Sequence, residues 1–135
     1  MILNVPPCSK PRMTQRDRWK KRQCVLDFFA FRDRIKQELK EKDALLNWDE
    51  LVITFLVPMP KSWSKKKKAL MAGKPMQSRP DLDNYLKGLF DATHEEDSTI
   101  WKVTASKLWT DKAGQIIINS MEDYYEKERE ALTSF

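Results

Sequence analysis

Acidic side chains and one lysine are concentrated in residues 79–97, RPDLDNYLKGLFDATHEED. Asp81 is a favourable N-cap residue and the apolar residues after it recur with helical spacing, so a helix is predicted to begin at or just after Asp81. Asp83, Lys87 and Asp91 follow one another at i, i+4 spacing in this helix, which places them on one face and allows Lys87 to pair with either acid. Because the backbone is still extended before the helix, the Asp81 carboxylate can point the same way as that of Asp83.

Two carboxylates at such a junction could bind a single cation. Hard oxygen ligands without a His or Cys cluster suit magnesium or manganese rather than zinc, and a helix N-terminus favours a phosphate nearby. Acidic residues at 95–97 follow the helix and could supply a third ligand. The structural alternative makes Asp81 a simple helix cap and the remaining charges a solvated salt-bridge ladder of Asp83, Lys87 and Asp91. Spacing alone does not separate these alternatives.

The formal net charge of +5 is unevenly distributed along the chain. Residues 1–23 carry a net charge of +6 and residues 61–79 carry +7, which leaves −8 on the rest. Two basic segments on an acidic body are typical of a protein that binds a polyanion, most simply a nucleic acid. The alternative is that both are solvated charged loops. The candidate DNA-binding residues are Lys10, Arg12, Arg16, Arg18, Lys20, Lys65, Lys66, Lys67, Lys68 and Arg79.

The 135 residues predict a single domain, 1–135, with a basic N-terminal arm at about 8–23, a basic loop at about 61–79 and a C-terminal helical tail at about 122–135. Cys8 and Cys24 have no CxxC spacing, which favours reduced, structural thiols. No segment resembles a signal peptide or a membrane span, so we expect a cytoplasmic protein without a membrane partner. The single histidine, His94, is expected to contact the helix C-terminus rather than to act in catalysis.

Hydrophobic periodicity predicts the order β-α-β-α-β-β. A first strand at 1–5, placed at a sheet edge, precedes a helix that begins at Cys24, and the continuously apolar run 50–57 predicts a central strand covered on both faces. Residues 61–78 are predicted to form an exposed loop that could begin as a short basic helix. Alternation in 101–106 and 115–119 around a turn predicts a β-hairpin. The fold class is therefore α+β (mixed α/β), a small mixed sheet with helices.

Four stretches together resemble the RusA family of Holliday junction resolvases, which are small endonucleases of bacteria, phages and prophages. They are RPDLDNYLKGLFDA, EEDSTIW and the pair VTASKLW and GQIIIN, and the resemblance extends from Lys10 to Asn119. It implies a homodimeric enzyme of DNA recombination and repair that binds four-way DNA junctions. Such an enzyme nicks two opposing strands symmetrically and uses Mg²⁺, with Mn²⁺ as a possible substitute.

The same resemblance implies roles for particular residues. The catalytic residues of the family match Asp81, Asp83, Lys87 and Asp97, of which the three aspartates would bind the metal. Glu96 stands where the family pattern often has aspartate, and the turn after the helix is shorter than in better-known members. The third ligand is therefore either Asp97 or Glu96.

Two other functions remain open from the sequence. The first is a non-catalytic protein that binds branched DNA or other nucleic acids, in which the acidic residues serve only capping and solubility. The second is a metal-dependent nuclease that uses the same residues on forks or flaps. The Holliday junction resolvase is the function that the resemblance favours.

Overall fold

The computed structural model describes residues 1–42, 50–93, 100–120 and 129–130. Its elements follow the predicted order, with a second short helix added, and the α+β class is confirmed. They are β1 (Ile2–Leu3), a 3-10 turn (Gln15–Arg18), α1 (Gln23–Lys42), β2 (Glu50–Pro58), α2 (Lys65–Met71), α3 (Leu82–Thr93), β3 (Lys102–Thr110) and β4 (Gln115–Ser120).

The four strands form one mixed sheet in the order β1-β4-β2-β3. β2 is central, as predicted, and runs parallel to β3 and antiparallel to β4. The predicted hairpin is wrong, because β3 and β4 lie on opposite sides of β2 and do not pair with each other. Adjacency in sequence suggested a hairpin, but the most apolar strand takes the position between them, where both of its edges are hydrogen bonded.

The connection from β3 to β4 must therefore pass over the end of β2 within a few residues. Gly114 makes this close passage possible. A Cβ atom there would lie 2.8 Å from the Pro6 Cα atom and 3.0 Å from the Pro58 Cδ atom, so a side chain would collide with both segments.

The hydrophobic core lies between one face of the sheet and two helices. Alternate residues of β2 are buried from Leu51 to Val57, and the ones between them stay partly exposed. In the described residues, therefore, only one face of β2 is buried, whereas the sequence predicted that both faces would be covered. Helix α1 begins one residue before the predicted Cys24. The side chains that α1 and α3 bury are Val25, Phe28, Phe31, Ile35, Tyr85, Leu89 and Ala92.

The basic segment 61–79, predicted as an exposed loop, is largely exposed and follows the outer edge of the sheet, with helix α2 in its first half. Ser64 caps α2 by accepting a hydrogen bond from the Lys67 backbone N–H (3.2 Å). Residues 73–76 then run beside β3, where the Gly73 N–H donates to the Trp109 carbonyl (2.9 Å) and the Met76 N–H donates to the Lys107 carbonyl (3.0 Å). The short basic helix that the sequence allowed is therefore present and leads directly toward α3.

Residues 8–10, which we call the strap, cross one flank of α3, beside its buried face. The Lys10 N–H donates to the Asn84 carbonyl (3.4 Å), and the Lys10 ammonium pairs with the Asp91 carboxylate. Gly88 lies directly under the strap, where a Cβ atom would be 2.5 Å from the Cys8 carbonyl oxygen. The strap thus ties the basic arm to the acidic helix. Both cysteines, Cys8 and Cys24, are free thiols, as predicted.

Two predicted features fall mostly outside the described residues. The C-terminal tail at 122–135 is described only at 129–130, which are helical. His94 is not among the described residues. No helix in the described ranges is both long and apolar enough to cross a membrane.

Gly88→Ala is expected to lower the free energy of unfolding by about 1–3 kcal/mol, because the new methyl group overlaps the strap backbone. This loss outweighs the gain of up to about 1 kcal/mol that alanine brings to a helix interior. Urea unfolding followed by circular dichroism measures it, with the exposed Lys40→Ala in α1 as the control. A variant as stable as the wild type would show that the strap moves aside without cost.

Candidate active site

The orientation of α3 determines which of its side chains reach solvent. Its inner face is buried, and the Tyr85 ring stacks on the Phe55 ring of β2 with centroids 5.4 Å apart. Asp83 and Lys87 therefore lie on the outer face, where their side chains are 68% and 65% exposed. Burial raises the pKa of Tyr85 to about 12.

Asp81 immediately precedes α3. Its backbone carbonyl accepts hydrogen bonds from the N–H groups of Asn84 (3.1 Å) and Tyr85 (3.3 Å), so the helix begins where the sequence predicts. The Asp81 side chain is exposed. Among the described residues, its carboxylate forms no capping hydrogen bond and no ion pair. A role as a simple side-chain cap therefore lacks the hydrogen bond that defines one.

The charged residues of α3 do not form a continuous ladder. The Lys87 ammonium lies 3.8 Å from the Asp83 carboxylate, as predicted for an i, i+4 pair. Asp91 instead pairs with Lys10 of the strap. An exposed pair such as the first contributes little to stability, typically about 0.3–0.5 kcal/mol, so packing does not explain these charges.

Lys107 of β3 holds the chain that leads into Asp81. It lies on the helix-facing side of the sheet, in register with Phe55. Its ammonium donates to the carbonyl oxygens of Ser78 (2.6 Å) and Pro80 (2.8 Å). Two charge-assisted hydrogen bonds to one short turn restrict the direction in which the chain enters α3. Lys107 thereby fixes the backbone from which the Asp81 carboxylate projects.

The donor set in the described residues fits a hard divalent cation only in part. Asp81 and Asp83 offer two exposed carboxylates, the ligand type that magnesium and manganese prefer. The predicted third ligand, Asp97 or Glu96, lies outside the described residues. Accordingly, the described ranges contain no group of three or more possible metal-ligating side chains.

The predicted DNA-binding residues lie mainly in two exposed groups. Arg12, Arg16, Arg18 and Lys20 are exposed in the arm before α1, and Lys10 is engaged with Asp91. In the second group, Lys67 lies 4.1 Å from the centre of the Trp63 ring, and Trp63 packs edge-on against Trp109 of β3 with centroids 4.9 Å apart. The other members of that group are Lys65, Lys66, Lys68 and Arg79. Helix α2 is therefore anchored to the sheet through an aromatic pair.

Two exposed basic segments are the electrostatic footprint of a protein that binds a nucleic acid. Comparison with protein-family models identifies the family. Residues 5–119 match the model of endodeoxyribonuclease RusA, so the chain belongs to the RusA family. It is thus an endodeoxyribonuclease of a Holliday junction resolving family, whose substrates are branched DNA. No curated protein matches the chain.

The sequence patterns did not single out Lys107. A signal was present, because the helix-facing positions of β3 read Val103, Ala105, Lys107 and Trp109, and the lysine is the only charged residue in that series. The alternation of apolar and polar residues that predicted this strand was followed only to residue 106, so it did not include Lys107. A charge on the apolar side of a strand needs a partner, which here is the turn before Asp81.

Lys107→Met is expected to reduce the nicking rate by about 10- to 100-fold, because the chain before Asp81 loses both hydrogen bonds and small misplacements are costly in catalysis. Junction affinity should change less than about 3-fold. Single-turnover nicking over a magnesium series, with a gel-shift measurement of affinity, tests this. Lys112→Met removes the same charge from the turn between β3 and β4 and serves as the control. If both variants lowered the nicking rate equally, Lys107 would act only through its positive charge and not by positioning the turn before Asp81.

Proposed function

We propose that this protein is a magnesium-dependent endonuclease that resolves Holliday junctions by paired symmetric nicks, in DNA recombination and repair. The observation that carries the proposal is the exposed pair Asp81 and Asp83 at the start of α3, with Lys87 one turn further on. Membership of the RusA family supports it, since nucleases of that family are generally dependent on a divalent metal. Mn²⁺ would be an alternative metal of the same chemistry. A phage or prophage origin and a cytoplasmic location belong to the same proposal.

The chemical difficulty in phosphodiester hydrolysis is negative charge. Asp81 and Asp83 would hold the metal together with Asp97 or Glu96. Once bound, a divalent ion lowers the pKa of a water molecule and offsets charge on the scissile phosphate. Lys87 would hold a phosphate oxygen through its ammonium, which lies 3.8 Å from the Asp83 carboxylate.

We propose that the active enzyme is a homodimer. A four-way junction is approximately two-fold symmetric, and two nicks at equivalent positions require two equivalent active sites. Each chain contributes one such acidic pair, and a two-fold dimer supplies the second by the same symmetry as the substrate. The basic residues of both chains would then provide affinity without sequence information, while the shape of the junction selects the substrate.

Asp83→Asn is expected to lower the nicking rate by at least about 100-fold, because a charged group at the reacting centre is lost. Junction affinity should stay the same or rise, since removal of a carboxylate reduces repulsion from DNA. Nicking and gel-shift assays on one preparation measure both quantities. Asp91→Asn is the matched control, because it removes the same charge from the same helix at a residue paired with Lys10. Nicking at the full rate by Asp83→Asn would show that Asp83 is not a catalytic residue.

A comparison of substrates separates the proposal from its alternatives. Four-way junction, forked DNA and linear duplex are incubated with the wild type and magnesium. A resolvase nicks the junction in opposing strands, and a nuclease of forks or flaps prefers those substrates. A protein that only binds nucleic acid nicks none of them, and its affinity is independent of magnesium.

The triple variant Lys65→Gln, Lys66→Gln and Lys68→Gln is expected to weaken binding and to flatten its salt dependence. The slope of log K against log[salt] should fall by up to about 0.9 for each DNA phosphate that the variant no longer neutralises. Lys67 is left in place because it covers the Trp63 ring. Fluorescence anisotropy at several salt concentrations measures the slope. The control neutralises three dispersed lysines, Lys36, Lys40 and Lys112. An equal slope in both variants would show that α2 is only a solvated charged surface and does not contact DNA specifically.

A further inference from the structure

The arm loop, residues 12–22, is built around one buried carboxylate. Asp17 is only 6% exposed although the loop lies at the surface. It accepts hydrogen bonds from the Thr14 N–H (2.8 Å) and hydroxyl (3.1 Å), and from the Arg22 N–H (3.3 Å), Nε (3.2 Å) and Nη2 (3.1 Å). The Arg22 guanidinium beside it holds the pKa of Asp17 well below its usual range. The carboxylate is therefore ionised and its hydrogen-bonding capacity is filled.

Arg22 also closes the loop. Its Nη2 atom donates to the Arg12 carbonyl (2.6 Å), which joins residues ten positions apart. At the tip, the Trp19 N–H donates to the Arg16 carbonyl (3.1 Å) and the Lys20 N–H donates to the same oxygen (2.9 Å). The loop is thus a closed, hydrogen-bonded structure that presents its tip in a defined conformation.

Trp19 at this tip is 92% exposed. A tryptophan normally buries much of its ring, so the exposed ring of Trp19 does not contribute the free energy of apolar burial to folding. The ring borders a depression of about 390 Å³ whose other walls are cationic, Arg16, Lys20, Lys21 and Arg22. In the described part of the chain, Arg16, Arg18 and Lys20 have no side-chain ion pair or hydrogen bond. The loop therefore presents an exposed aromatic ring bordered by cations, of which Arg16 and Lys20 have no side-chain partner among the described residues.

An aromatic ring among cations matches a base whose face is open, with phosphates on either side. In a continuous duplex every base face is covered by the next base pair, and inserting a ring there costs unstacking free energy. At the branch point of a four-way junction the base pairs can lose a stacking neighbour. The ring then finds an open face without that cost.

We propose that Trp19 stacks on an open base at the branch point of the junction, and that the Asp17–Arg22 pair positions it there. Trp19 would thus contribute to the selection of branched over linear DNA, while Arg16, Arg18 and Lys20 contact the phosphates of the strands that diverge. This inference rests on the proposed function, because it needs a junction as the substrate. It adds a specificity-determining residue that lies outside the acidic site.

Two junctions test the proposal, one with 2-aminopurine beside the branch point and one with it in the middle of an arm. Binding is followed by fluorescence in EDTA, so that no strand is nicked. The wild type should change the emission of the branch probe only. Trp19→Ala should abolish that change and weaken junction binding by about 10- to 100-fold, the usual effect of losing one base stack, while duplex affinity is maintained. Trp19→Phe should restore most of both, and the exposed Leu26→Ala in α1 should behave as the wild type.

Asp17→Asn provides a second test that opposes simple electrostatics. The substitution makes the protein more positive, so charge alone predicts tighter binding to every DNA. If Asp17 positions the tip, the ratio of junction to duplex affinity falls in this variant although affinity for linear duplex is unchanged or higher.

The remaining outcomes overturn the inference in distinguishable ways. Equal losses of junction and duplex affinity in Trp19→Ala, or no loss, would overturn the stacking role while the wild type still nicks junctions. A change of oligomeric state in Trp19→Ala by analytical ultracentrifugation, with junction preference intact, would make the ring a protein contact. A wild type that neither prefers nor nicks junctions would refute the proposed function itself.

Discussion

The packing of Tyr85 against Phe55 is the contact on which the arrangement of the acidic residues depends. An amphipathic helix has only one rotation that buries its apolar face, and this aromatic pair marks it for α3. Once Tyr85 is inside, Asp83 and Lys87 are outside and one turn apart. The chemistry of the helix is therefore set by what its other face buries, and a change in the core would be felt at the charged surface.

Three segments that are distant in sequence converge on the same helix. The strap crosses it at Gly88, Lys107 of β3 holds the turn that leads into it, and the basic segment with α2 runs along β3 before reaching it. Cationic surfaces that could contact DNA are thereby joined to the acidic pair by short, hydrogen-bonded connections. If the proposed site acts on DNA, such connections would keep the bound backbone in a fixed position relative to Asp81 and Asp83.

The distribution of charge separates residues that are satisfied by the fold from those that are left for a ligand. Asp17 is buried and fully hydrogen bonded, and Asp91 has its lysine in the strap. By contrast, Asp81 has no side-chain partner among the described residues, and the pair formed by Asp83 is exposed to water. Carboxylates left in this state contribute little to folding, so stability alone does not account for them.

The sequence by itself determined the elements, because hydrophobic period, capping and turn residues are local properties. The start of α3 followed from capping and spacing, and the central position of β2 followed from its continuous apolar run. Spacing allowed Lys87 to pair with Asp83 or Asp91, and the structure shows the pair with Asp83. Only the tertiary structure decided the separation of β3 from β4, since strand order depends on which edge is most favourably buried and not on adjacency in the chain. It also decided the roles of Lys107 and of Gly88, whose partners lie more than twenty residues away. Contacts of that range arise from packing, so a local pattern can mark Lys107 as unusual but does not identify its partner.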